Sequence, residues 1–220
     1  DTPGVMLSSA AKEYLKVYGV LVGRNPLIFT NNDSGYETAI EFKKNHIDPI
    51  ILDTRTDPQS EIVDEAKNLG INIKFSYVVV AAKGYKKVKS ADIAKISDDK
   101  EQLGVIENIK CDCICVSGFW TPTIHLASQS GNKTKFNENI DAFVPGTSKQ
   151  NETTLGAANG SYTLDETLKS SFETGYELSK KITNNDNKIT LPNIAEKKST
   201  THDKFWCVPL PDGKNYKRFL

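Results

Sequence analysis

The chain has 220 residues, enough to bury a sizeable core in one large domain or in a domain with a subdomain. Its 28 Lys and Arg balance 28 Asp and Glu, so no overall field draws it to nucleic acid or to an anionic membrane, and any binding must come from a local site. Apolar runs such as residues 77–82 fall far short of the roughly 20 residues of a spanning helix, and the start Asp1-Thr2-Pro3-Gly4 lacks a basic-then-apolar secretion signal. The expectation is a cytoplasmic protein with neither nucleic acid nor membrane as a partner. The absent initiator methionine and the abrupt end at Leu220 read as a piece of a longer product.

Residues 4–18 place Leu7, Ala11, Tyr14, Leu15 and Tyr18 at helical spacing. The apolar run 26–30 then predicts a strand, polar 31–34 a turn, and Tyr36, Ala39, Ile40 and Phe42 an amphipathic helix that gives out near Asn45-His46. Residues 49–53 form a second buried strand ending in Asp53, which completes a βαβ unit with parallel pairing and a right-handed crossover. A helix over 58–69 ends at Gly70, a residue suited to a left-handed cap, and a strand over 71–75 follows. Runs 77–82 and 88–96, joined by Lys83-Gly84-Tyr85, and a strand near 104–106 predict an antiparallel meander. The run 111–116 returns as a central strand buried on both faces, ending in the loop 117–122. A last amphipathic helix over 164–182 precedes the polar stretch 184–204, which reads as linker. The fold class these elements predict is α/β, Rossmann-like with an antiparallel β meander.

Cys111, Cys113 and Cys115 alternate, so on a strand they share one face, with Asp112, Ile114 and Val116 on the other. Neither Cys-x-x-Cys nor histidine at ligand spacing accompanies them, which favours buried reduced thiols over a metal. His46, His125 and His202 lie far apart without triad spacing, and no catalytic residue is assigned. The basic run 83–89 is a solvated hairpin turn more simply than a nucleic-acid contact, and Trp120 and Trp206 are either core or anchors for a neighbouring domain.

Two places could hold a dinucleotide. A strand, turn, helix and strand with Asp53 at the end is the layout that puts pyrophosphate on a helix N-terminus and ribose hydroxyls on an acid. Yet the turn reads Thr30-Asn31-Asn32-Asp33-Ser34-Gly35, so the three fingerprint glycine positions hold Thr30, Asn32 and Gly35, and Asp33 adds a negative charge where phosphate would sit. Two readings stand there: a nucleotide site, or a scaffold in which residues 32–34 cap the helix. The second place is Ala142-Phe143-Val144-Pro145-Gly146 followed by Gly156-Ala157-Ala158-Asn159-Gly160, a strand, a glycine turn and a small-residue helix start. Gly146, Gly156, Ala157 and Asn159 are the candidate cofactor-binding residues, since small side chains permit close approach. The competing reading is a loop capped by Gly160 and Ser161.

The opening PGVMLSSAAKEYLKVYGV, the turn FTNNDSGYETA, the strand CDCICVSGFWTPTIHLASQSG, and the run KFNENIDAFVPG with GAANG after it resemble, in this order, the alpha subunit of heterotetrameric sarcosine oxidase and related amine dehydrogenase subunits. Phe119 and Thr121 stand where family members commonly have glycine and asparagine. The resemblance implies an alpha subunit that holds NAD in a two-part, Rossmann-like three-layer FAD/NAD(P)-binding reductase domain whose intact glycine fingerprint lies upstream. It also implies tetrahydrofolate handled in the whole enzyme by a domain nearer the C-terminus, and FAD and FMN on the partner subunit. Residues 1–25 and 143–183 would then belong to a first dinucleotide-binding half, 26–142 to an inserted second half, and 184–220 to a linker. The expected function is support, with the other sarcosine oxidase subunits, of oxidative demethylation of sarcosine to glycine, this chain itself lacking a complete active site. The alternatives are an NAD(P)H-dependent flavoprotein reductase domain and a non-catalytic interaction module with a decayed nucleotide site.

Overall fold

The computed structural model describes residues 2–118, 120–183, 190, 193–195, 203–211 and 218–219. They fall into two compact units, Asp1–Phe119 with Thr200–Leu220, and Trp120–Ser199.

The first unit runs β1 (Val5–Leu7), α1 (Ser8–Tyr18), β2 (Pro26–Thr30), α2 (Ser34–Lys44), β3 (Ile50–Asp53), α3 (Glu61–Asn68), β4 (Asn72–Phe75), β5 (Tyr77–Lys83), β6 (Ser90–Ile96), β7 (Leu103–Lys110) and β8 (Cys113–Ser117). A five-stranded parallel sheet is ordered β1-β8-β2-β3-β4, and β5-β6-β7 form a separate antiparallel sheet. Period-two alternation divides the parallel sheet's side chains between two cores. Ile28, Ile51, Cys113 and Cys115 pack with Ala11, Tyr36, Ala39, Phe42, Val63 and Ala66 of the helices. Leu27, Phe29, Leu52 and Ile114 pack with Val78, Val80, Ile93 and Ala94 of the antiparallel sheet. Covered on both faces, β2 is buried at all five positions, which is why it reads as an unbroken apolar run.

The second unit contains α4 (His125–Gln129), the antiparallel pair β9 (Lys133–Asn137) and β10 (Ala142–Thr147), a 3-10 turn over Gly156–Asn159, and α5 (Leu164–Thr183). Among the described residues no helix is long and apolar enough to cross a membrane.

The structure departs from the sequence reading at several points. The helix expected over 4–18 begins only at Ser8, because Val5, Met6 and Leu7 extend to pair with Ile114, Cys115 and Val116. Residues 5–18 therefore belong to the same sheet and helix layer as residues 26–118, and the division between the units falls near residue 119, away from the expected boundaries at 25 and 142. Helix α3 is shorter than its pattern, although Gly70 does adopt the left-handed conformation, with φ 69°. The three cysteines do not share a face: the strand starts at Cys113, so Cys111 joins the antiparallel-sheet core. Asp112, just before the strand, accepts the N–H groups of Arg24 and Asn25 at 2.9 and 2.8 Å. The basic hairpin does turn in solvent, with Tyr85 92% exposed and Gly84 placed where a Cβ would lie 1.9 Å from the Lys87 carbonyl.

The expected linker over 184–220 also needs correction in part. Residues 184–189, 191–192 and 196–202 lie outside the described residues. Beyond them the chain carries β11 (Cys207–Val208), which pairs antiparallel with β12 (Arg218–Phe219), and Phe205 and Val208 are buried in the core of the antiparallel sheet. An apolar cluster at 205–208 after a long polar stretch is the sequence feature that marks the return.

Burial sets an alkaline limit on this fold. The Cys111 thiol is pushed up to about 11 by burial and then by the charges of Asp112 and Cys113. Cys115 is pushed up by its hydrogen bond with Cys113, 3.6 Å between sulfurs, and by burial, and Tyr36 is pushed up by burial and then by Asp53. Each is held protonated in the fold, so its contribution is complete below the unfolded-chain value and declines once the unfolded thiols ionise, near 9.0. The melting temperature is expected to fall from about pH 9 upward, and Cys111→Ala with Cys115→Ala to flatten that decline. A melting temperature unchanged to about pH 11 would contradict the burial of these groups.

Candidate functional site

In a parallel α/β sheet, ligands bind outside the carboxyl ends of the strands where connections diverge to either side. Here the chain passes from β2 outward through β3 and β4, while β8 and β1 lie on the other flank of β2. The crevice is thus bordered by residues 31–34 after β2, Thr54 and Arg55 after β3, and Ser117 at the end of β8.

The turn after β2 is filled by its own polar side chains. Thr30 Oγ1 donates to the Asn32 carbonyl at 2.8 Å, and Asn32 Oδ1 accepts Ser34 N–H at 2.9 Å and Ser34 Oγ at 2.6 Å. Asn32 Nδ2 donates to the Ser117 carbonyl at 3.0 Å, tying the turn to β8. Asn32 thus caps as expected, but Asp33, at the N-cap position of α2, makes no side-chain capping bond. Its carboxylate instead accepts Arg55 Nη1 at 2.7 Å, with both side chains 9% exposed.

Asp53, the acid placed for a ribose, is completely buried. Its Oδ1 accepts the Arg55 N–H at 2.9 Å and Nε at 3.1 Å, and its Oδ2 accepts Arg55 Nη2 at 2.9 Å and the Tyr36 hydroxyl at 2.6 Å. Burial opposes the charge on Arg55, but hydrogen bonds to Asp53 and Asp33 outweigh it, so the guanidinium is held more firmly protonated than usual. The chain's own tail completes the site. Asp203 N–H donates to the Asn31 carbonyl at 2.9 Å, Asn31 Nδ2 donates to the Asp203 carbonyl at 3.0 Å, and Thr54 Oγ1 donates to Asp203 Oδ2 at 3.1 Å. Lys100 pairs with the same carboxylate. Lys100 and Asp203 were not singled out in the sequence, because no local pattern joins residues 103 to 172 positions apart, and neither was Arg55, whose link to Asp33 spans 22 positions.

These residues do not fit a pyrophosphate. Binding would need bare backbone, a helix N-terminus clear of negative charge and an acid with lone pairs to spare. The turn offers instead Asn32 and Asp33 side chains, and Asp53 already receives four donors. Gly35, the one fingerprint glycine kept, serves packing: a Cβ there would lie 2.6 Å from the Thr30 Cβ.

The four candidates of the second unit lie along β10 and the 3-10 turn. Gly146 is exposed on β10 beside a break in register, where a Cβ would lie 2.3 Å from the Lys133 carbonyl, and its N–H donates to Asn132 Oδ1 at 2.7 Å. Gly156 is buried with φ 66°, and a Cβ would lie 3.2 Å from Thr167 Cγ2. Both glycines therefore meet requirements of the chain itself. Ala157 and Asn159 are exposed, and the turn is closed by Gly160 N–H on the Ala157 carbonyl and Ser161 N–H on the Gly156 carbonyl, each at 3.1 Å. Trp120 is 46% exposed, its carbonyl accepting the Tyr162 hydroxyl at 3.0 Å. Among the described residues no group of three His, Cys, Asp or Glu could hold a metal ion.

The architecture matches solved reductases. Thioredoxin reductase of Lactococcus lactis superposes with a TM-score of 0.62 at 14% identity, covering 83% of this chain and 59% of that one. The HOCl-induced flavoprotein disulfide reductase of Escherichia coli superposes with a TM-score of 0.56 at 14% identity, covering 80% and 39%. The fold is that of FAD/NAD(P)-binding reductases. No family model matches the chain. In sequence it is similar to "Sarcosine oxidase subunit alpha" of Rhizobium meliloti (strain 1021), 34% identical over 160 residues, and of Corynebacterium sp. (strain P-1), 31% identical over 162. These alignments take in 72% and 73% of the chain but only 15% and 16% of the relatives' length. What this protein resembles, then, is a segment of the sarcosine oxidase alpha subunit.

The buried Asp33–Arg55–Asp53 arrangement carries a direct consequence. Arg55→Ala leaves two carboxylates without their shared cation and is expected to lower unfolding free energy by about 3–5 kcal/mol, read by urea denaturation. A loss below about 1 kcal/mol, as for an exposed pair, would contradict the geometry.

Proposed function

We propose that the chain is the reductase-like segment of a sarcosine oxidase alpha subunit, supporting oxidative demethylation of sarcosine to glycine by the multi-subunit enzyme. The observation that carries the reading is the 34% identity to the Rhizobium meliloti alpha subunit across 160 residues. The whole subunit binds NAD; FAD and FMN sit on a partner subunit, and tetrahydrofolate is handled elsewhere in the enzyme. The partners are the other sarcosine oxidase subunits, and the setting is cytoplasmic. Within this chain, Gly146, Gly156, Ala157 and Asn159 lie toward the NAD of the whole subunit, the exposed Ala157 and Asn159 supplying the surface it meets.

A second reading applies to the half that contains β2 and β3. Asp33 and Asp53 are both committed to Arg55, which favours a scaffold with a decayed nucleotide site over an NAD(P)H-dependent reductase domain. Its role is then assembly of the subunit.

Two measurements test the proposal. The purified chain should produce no peroxide from sarcosine, since the described residues offer no placed acid-base pair on an open cleft; peroxide from the chain alone would overturn the assignment of the chemistry to a partner. In the full subunit, Ala157→Glu adds bulk and negative charge at an exposed position. NAD affinity by calorimetry should fall tenfold or more, about 1.4 kcal/mol, with the melting temperature unchanged. Unchanged affinity would remove the second unit from the NAD site.

A further inference from the structure

We infer that Asp203 is a built-in anion mimic, and that the segment carrying it stoppers the nucleotide-type crevice of the first unit. The crevice lies outside the carboxyl ends of β2 and β3, where this class of sheet takes anionic ligands. Asp203 sits there with its side chain 14% exposed. Its carboxylate is shared between the Thr54 hydroxyl and the Lys100 ammonium, a donor set suited equally to a phosphate oxygen. Its backbone makes a reciprocal pair of bonds with Asn31, the residue that follows β2.

The segment is anchored as well as charged. Phe205 N–H donates to the Asp203 carbonyl at 2.8 Å, a tight turn that leaves the carboxylate at the strand ends while the Phe205 side chain enters the core with Val208. The Lys100 ammonium lies 6.0 Å from the Phe205 ring centre, so one lysine contacts both the charge and the anchor. Closing a loop of 172 residues between Asn31 and Asp203 has an entropic cost. Burial of Phe205, 4% exposed, and Val208, 5% exposed, supplies the offset. The crevice is thereby satisfied without a ligand, and its polar groups are not left bare. This inference rests on the fold and not on the sarcosine oxidase reading, and its test uses neither sarcosine nor NAD.

Hydrogen exchange on the intact chain reads whether the segment is seated. Residues 203–208 should exchange at least about tenfold more slowly than unstructured chain. Thr54→Val with Lys100→Gln, which alters only the crevice side, should raise exchange there about tenfold while α1 and β8 are unaffected. Chemical rescue reads the mimicry: inorganic phosphate, compared with chloride at matched ionic strength, should raise the melting temperature of Asp203→Ala by about 2 °C or more and leave the wild type unchanged. Should Asp203→Ala fail to fold, the milder Asp203→Asn takes the same comparison. Exchange of residues 203–208 at the unstructured rate in the wild type, exchange unmoved by the crevice-side changes, or an absent phosphate response in the carboxylate-free variant would each overturn the inference.

Discussion

The arrangement on which the first unit depends is Arg55 held between Asp33 and Asp53. A buried carboxylate is tolerated only when its desolvation is offset by charge and by hydrogen bonds, and Asp53 receives both from one side chain, with the Tyr36 hydroxyl as a further donor. The same guanidinium reaches Asp33 at the start of α2. One residue after β3 thereby fixes the end of β3, the entry to α2 and the ring of Tyr36, which is fully buried beneath α2. Two carboxylates against one cation leave a residual negative charge at the helix end whose dipole would otherwise favour an anion. The interaction that holds the βαβ unit together is thus also the one that keeps a pyrophosphate off the N-terminus of α2.

Position in the sheet explains why so much polar chemistry can be concentrated there. β2 lies between β8 and β3, and its carboxyl end is where the turn, the β8 terminus and the β3 terminus converge. Polar groups crowded at such a point must find partners. In this chain they find one another: Thr30, Asn32, Ser34 and Ser117 form one network, and Asn31 and Thr54 engage Asp203. Small-residue packing of α2 against β2 is preserved through Gly35 and Thr30, so the architecture of a dinucleotide unit persists with its ligand-facing surface rebuilt.

Much of this architecture was legible in the residue pattern. The largely apolar 26–30 and 111–116 runs marked central parallel strands because two-sided burial removes most polar alternation, and the 77–96 stretch marked a hairpin because its turn contains Gly84. The loss of two fingerprint glycines directed attention to Asn32 and Asp33, whose side chains fill the turn. What was not legible depended on distant partners. β1 is extended only because β8 lies beside it, whereas its residues also fit the helical spacing of α1. Cys111 turned away from its two neighbours because Asp112 is held by the Arg24 and Asn25 amides before the strand begins. Arg55 looked like an ordinary polar residue two places beyond an acid, and Asp203 lay in a stretch whose composition resembled linker.

The glycines of the second unit separate two meanings that a sequence cannot distinguish. A glycine can be kept because a ligand's atoms would meet its Cβ, or because the protein's own atoms would. At Gly146 the obstructing atom is the carbonyl of Lys133 on the paired strand, and at Gly160 it is Ile140 Cδ1, 2.6 Å from a Cβ position, with φ already at 85°. Gly156 combines a positive φ with Thr167 on α5. Gly146 is accounted for by the β9–β10 pairing, Gly156 by the 3-10 turn against α5, and Gly160 by Ile140 and Val144, so bare backbone by itself is no argument for a cofactor there. The discriminating residues are the small ones with no such obligation. Ala157 and Asn159 face solvent at the outer side of the turn, and a role for this segment in recognition must rest on them.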